Sequence, residues 1–171
     1  MIIGDQSSFA IECYHEPIPN ESKRVFGRMC IWVKDNALGN INEPSCMLNV
    51  TEGILERVID WFQYHDDEEL VQLSDLEAFT FLNKTIYSAE YRTQEELLRV
   101  HDRYYHYDFL THGGESFDGK MSFIIAAEEN VRILFEDIAG KFHSGHIPMK
   151  EFLAVINLFF SWLQSEGKNA V

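Results

Sequence analysis

The chain is 171 residues long, and with 46% hydrophobic and 13% aromatic residues it carries ample material for one buried core. Its 28 acidic side chains outnumber the 14 basic ones, and the net charge of −14 repels phosphate backbones and anionic bilayers, which excludes nucleic acid and membrane as partners. The opening MIIGDQSSFA lacks the cationic start and apolar run of a secretory signal, and no stretch reaches the roughly 18 uninterrupted apolar residues of a membrane span, so a soluble, cytoplasmic protein is expected.

In chain order, Ser8 to His15 alternates Phe9, Ile11 and Cys13 with Ala10, Glu12 and Tyr14. Arg24 to Lys34 alternates Val25, Met29, Ile31 and Val33 with Phe26, Arg28, Cys30 and Trp32. A period of two predicts strands. HEPIPNES between them and KDNALGN after them hold the Pro, Asn and Gly of turns, so the pair is expected to form an antiparallel hairpin. Cys13, Cys30 and Cys46 are odd in number, lack CxxC spacing and fall in or beside these strands, which predicts reduced, structural thiols.

Ile54, Leu55, Val58, Ile59 and Phe62 then recur at helical spacing, with Glu52, Glu56, Arg57, Asp60 and Gln63 on the other side. SDLE at Ser74 to Glu77 and TQEE at Thr93 to Glu96 both fit the capping box, in which side chains and orphan backbone amides satisfy one another at a helix start. Helices are predicted over 75–87 and 94–104.

After HGGESFDG, strand patterns resume at Lys120 to Ala127, Val131 to Asp137 and Lys141 to Ile147, separated by EEN and IAG as in a meander. A last helix is predicted from Pro148 to about Gln164. Its stripe of Phe152, Val155, Ile156, Phe159 and Leu163, with Leu153, Leu158, Phe160 and Trp162 off the stripe, predicts a largely covered helix lying across the sheet. There is no internal repeat and no Pro/Gly/Ser-rich linker. The expected architecture is a single α+β domain over 1–171: a mostly antiparallel sheet formed from the N-terminal hairpin and the C-terminal meander, packed against several helices.

The stretch HDRYYHYDFLTH, residues 101–112, is the place to look for chemistry. Its histidines are five and six residues apart, so no pair has the i, i+4 spacing of a helical zinc site. If the chain breaks into a strand at about Tyr105 to Leu110, His106, Asp108 and Leu110 point one way and Tyr105, Tyr107 and Phe109 the other. A metal site on His106 and Asp108, or a hydrolytic site in the same segment, is the alternative reading. A non-catalytic structural or ligand-binding domain is another. His143 and His146 fall on opposite faces of one strand. No GxSxG, GxGxxG or GxxxxGK[ST] pattern occurs, and Asp66 to Glu69 lack the spacing and Gly of an EF-hand. Neither catalytic residues nor a cofactor are expected.

The charge pattern points to a partner instead. Residues 43–83 hold ten acidic side chains and only Arg57 as a base. This can be a solvated face, or a docking field for a basic protein. Tyrosines give large contact area for little conformational entropy, although the same rings can close the edge of a core. The predicted contact set is Asp66, Asp67, Glu68 and Glu69 together with Asp102, Tyr104, Tyr105, Tyr107 and Asp108.

Five blocks carry a family resemblance: IIGDQSSFAIE, VFGRMCIWV, ALGNINEPS, DGKMSFIIAAEENVRILFED and FHSGHIPMKEFLAVINLFFSWL. Together they resemble the bacterial immunity protein 42 family, whose members are encoded beside secreted polymorphic or contact-dependent toxins that they bind and neutralise in the producing cell. The likeness covers both ends, about half the chain, and in residues 60–117 only helical character matches. It implies a cognate toxin domain as partner, stoichiometric inhibition and no catalysis. Gly4, Asp5, Phe9, Gly27, Arg28, Trp32 and Gly39 match the pattern and are expected to be structural, with Gly27 at a bulge or close backbone approach and Arg28 beside an acid. With the acidic charge, the resemblance points to a basic, nuclease-type toxin.

Overall fold

The computed structural model describes residues 1–16, 24–62, 68–88, 92–127 and 129–169. The expected hairpin pairs β2 (Phe9–His15) with β3 (Phe26–Val33), in a register running from Phe9 opposite Val33 to His15 opposite Gly27. Three short strands extend it: β1 (Ile2–Asp5) on β2, and β4 (Asn36–Leu38) and β5 (Cys46–Met47) on β3. β1 is too short for its period to show in sequence. It forms because Asp5 closes the reversal, accepting the Ser7 N–H at 2.9 Å and the Ser7 hydroxyl at 2.8 Å.

The residues shared with the family pattern are scaffolding. A Cβ on Gly27 would lie 1.9 Å from the Tyr14 carbonyl oxygen, so only glycine lets the two strands approach there. Arg28 pairs with Glu16 at 2.5 Å, and the Trp32 indole N–H donates to Glu12 at 2.9 Å.

The C-terminal meander is β6 (Ser122–Ala127), β7 (Asn130–Glu136) and β8 (Phe142–Pro148), paired antiparallel in that order. The α+β class is as expected, but the two chain ends build two separately hydrogen-bonded sheets, not one. Gly145 explains how they meet: with no Cβ, it lets β8 press against the side chains of Val33 and Lys34, so contact is by packing and not through a ladder.

The helices are α1 (Leu48–Trp61), α2 (Glu68–Gln72), α3 (Asp75–Tyr87), α4 (Gln94–Tyr104) and α5 (Met149–Asn169). α3 and α4 start where the capping boxes place them, and both boxes are formed. The apolar stripe of α5 is buried as predicted, with Phe152 meeting Phe9 at 4.9 Å and Phe62 at 5.7 Å between ring centroids. Coverage of α5 is narrower than expected, since Leu158 is 60% exposed. No helix among the described residues is long and apolar enough to cross a membrane.

β6 is buried on both faces. Ile124 and Ala126 join the main core beneath α5, while Phe123 and Ile125 join a second core with Leu70, Phe79, Leu82 and Tyr107. That is why SFIIAA shows no polar alternation. Arg132 on β7 faces the second core at 5% exposure. Its guanidinium donates to Asp75 at 2.7 and 3.0 Å and to the carbonyl oxygens of Leu70, Val71 and Leu73, which fastens the end of α2 and the start of α3 to the sheet. Cys13, Cys30 and Cys46 are all buried, unbridged thiols, and burial pushes Cys13 and Cys30 up to about 12.

Candidate partner-binding surface

The His/Tyr/Asp-rich stretch is not a strand. α4 ends at Tyr104, a 3-10 turn takes Tyr105 to Tyr107, and Asp108 makes a single bridge to Phe123. The expected alternation fails because successive side chains are claimed by different cores. Tyr107, 1% exposed, enters the second core, while Phe109 and Leu110 enter the first. Tyr107 is thereby removed from the predicted contact set, and its ring fills space beside Phe123.

Asp108 turns inward as well. The Tyr87 hydroxyl donates to its carboxylate at 2.7 Å. Burial pushes the Asp108 carboxyl up from the ordinary aspartate value, against hydrogen bonds from Thr111 and Tyr87 that pull it down. Burial, with the Asp108 charge beside it, pushes the Tyr87 phenol far up. The pair ties the C-terminal end of α3 to the segment after α4.

Of the other predicted residues that are described, Glu69 and Asp102 are exposed and Tyr104 and Tyr105 are half-buried. Arg103 links α4 to Glu69 of α2 at 3.5 Å while its guanidinium lies 5.0 Å above the Tyr104 ring. Glu69, Arg103 and Tyr104 therefore form one patch. Asp66, Asp67 and the Glu68 side chain lie outside the described residues. Tyr105 stacks on His101 at 4.9 Å and 19°.

Tyr105 is a shared wall between two hollows. One is a cavity of about 70 Å³ against Arg57, Trp61, Asp108 and His112. The other is a groove of about 370 Å³ along α4, walled by Ile86, Leu97, Leu98 and Val100. None of the described residues of α4 is buried, and Leu97 and Leu98 are 52% and 56% exposed. Sequence reading passed over both leucines, as well as Arg57 and Trp61. The available signal was a pair of adjacent leucines inside a helix that otherwise carries mostly polar and charged side chains.

Among the described residues no group of three or more His, Cys, Asp and Glu side chains is placed to hold a metal ion. His143 sits on Asp137 at 2.9 Å and His146 on Asp75 at 3.1 Å, on separate acids as their odd spacing predicted. What the Tyr105 region offers is apolar area, oriented rings and flanking acid, which suits contact with another protein.

Comparison with known proteins bears on what that contact is. The family model described as immunity protein 42 matches residues 1–162, so the middle of the chain lies within the match along with both ends. No curated protein matches the chain. Among solved structures, the crystal structure of CdiI from Burkholderia dolosa AUO158 is similar, with a TM-score of 0.67 over 94% of this chain and 99% of that one. At 15% sequence identity this likeness speaks for the fold.

Proposed function

Because the chain belongs to the immunity protein 42 family, we propose that it neutralises one cognate toxin domain by stoichiometric protein–protein binding, inside the cell that makes it and with no reaction of its own. The family match over residues 1–162 carries this reading. The structure supports it with a surface of suitable chemistry: Glu69, Asp102, Tyr104 and Tyr105 lie on or beside α4, next to exposed leucines, while Asp108 and Tyr107 hold that surface in place from within. Asp66, Asp67, Glu68 and Glu69 are proposed to take part in the same contact through their charge. The net charge of −14 favours a basic toxin, nuclease-type domains being the obvious class because they must themselves attract phosphate.

Co-expression with the toxin domain encoded by the adjacent reading frame tests this directly. Restored growth and a 1:1 complex on size-exclusion chromatography are expected. A toxin that kills equally with and without this chain, and does not bind it, would overturn the reading.

A further inference from the structure

A surface helix in a globular protein ordinarily holds its place through a buried apolar stripe. α4 is held by polar pins. Thr93 and Glu96 cap its start, the Arg92 guanidinium donates to the carbonyl oxygens of Lys84 and Thr85 at the end of α3, and Arg103 reaches Glu69. Tyr104 packs the C-terminal end of α4 against the second core and Phe81, while Leu97, Leu98 and Val100 are left to line the groove of about 370 Å³. We propose that this groove takes apolar side chains from a basic amphipathic segment of the cognate toxin, with Leu97, Leu98 and Tyr105 as the anchoring contacts. The assignment rests on the toxin-binding reading above and names the chemistry of what is bound.

Three observations carry it. The walls are mostly apolar, with Arg92, Gln94 and His101 the polar members, and bound a volume in the range that buries a few side chains or a small ligand. They are also set in advance: Tyr105 is stacked on His101, and Leu97 and Leu98 stand on a capped helix, so little freedom is lost when something lies against them. The rim, finally, fixes the sign of the partner. Glu95 and Asp102 are 76% and 80% exposed, whereas the nearby cations are turned onto this chain's own acceptors, Arg92 on carbonyl oxygens, Arg99 on Glu95 at 2.6 Å and Arg103 on Glu69. A segment presenting lysine or arginine beside its apolar residues meets exposed acid at this rim, Glu95 shared with Arg99 and Asp102 with His101. A second copy of this chain, itself at −14, meets repulsion.

The test is surface plasmon resonance of the toxin domain from the adjacent reading frame against the full chain and its Leu97→Ser/Leu98→Ser variant. Both leucines are more than half exposed, so the variant should fold, which far-ultraviolet circular dichroism and a melting curve confirm. A dissociation rate raised about 30-fold with an association rate changed less than about twofold is the expected result. Tyr105→Ala is expected to act in the same direction. Unchanged dissociation in the double variant, with the wild type binding normally, would remove the groove from the interface and leave the toxin-binding reading standing. Failure of the wild type to bind would overturn that reading and the groove's assignment with it. A concentration-dependent wild-type dimer that the double variant abolishes would give the groove to a second copy and overturn the proposal.

Discussion

Asp108 and Tyr87 are 21 positions apart and meet at 2.7 Å, an acid and a phenol drawn together behind the surface that α4 presents. Burial favours the neutral form of the acid, so its pKa in the folded chain lies above the 3.8 of an ordinary aspartate. The sign of the linkage follows. As pH rises from 3.8 through the raised value, the unfolded chain gives up this proton before the folded chain does, so ionisation of Asp108 lowers stability, and the cost is present in full above the folded pKa. Asp108→Asn removes that charge and keeps a carbonyl oxygen for the Tyr87 hydroxyl. The variant is expected to melt at a higher temperature than the wild type at pH 7, with the difference shrinking towards pH 4. Calorimetry across that range measures it, and a difference that grows on acidification would show that the ionised carboxylate is the form the fold prefers.

Among the elements, Arg132 sets where α2 and α3 sit. Its side chain is 6% exposed and serves Asp75 and three carbonyl oxygens, so Arg132→Ala leaves a partly buried acid with His146 but no guanidinium, and the end of α2 without its donor. Stripping one partner from such a cluster costs about 3 kcal/mol. The loss should be local, with faster amide exchange over Leu70 to Leu82 and unchanged exchange in β2 and β3. Much of this level was legible in the residues. SDLE and TQEE fix the starts of α3 and α4 because a capping box is a local device, and the meander strands follow from short apolar runs separated by EEN and IAG. What could not be read depends on distant partners. α2 exists because Leu70 reaches the second core and Arg132 holds its end. Tyr104, Tyr105 and Tyr107 are alike in sequence, and only the two-faced burial of β6 sends Tyr107 inside and leaves Tyr105 as a groove wall. The exposure of Leu97 and Leu98 was hidden for the converse reason: adjacent leucines in a capped helix imply a core contact that the fold does not supply.

For the whole molecule, charge and groove govern different steps of one encounter. Long-range attraction acts before contact and therefore on the association rate, while packing of side chains acts after contact and on dissociation. Glu56 and Asp60 are exposed on α1, on the same helix as the Arg57 and Trp61 that wall the Tyr105 cavity. Glu56→Lys/Asp60→Lys inverts part of this field without touching the leucines of α4. Against the cognate toxin at low salt the variant should associate about tenfold more slowly with dissociation nearly unchanged, the reverse of the pattern expected for Leu97→Ser/Leu98→Ser. Raising the salt from about 0.05 to 0.5 M should slow the wild type by a comparable factor and shrink the gap between the two proteins, because the Debye length falls from about 14 Å to about 4 Å and the field no longer reaches an approaching partner. Stopped-flow association rates at several salt concentrations settle the point: a wild-type rate indifferent to salt would mean that the partner carries no complementary charge, and a basic toxin would have to be abandoned even if the complex forms.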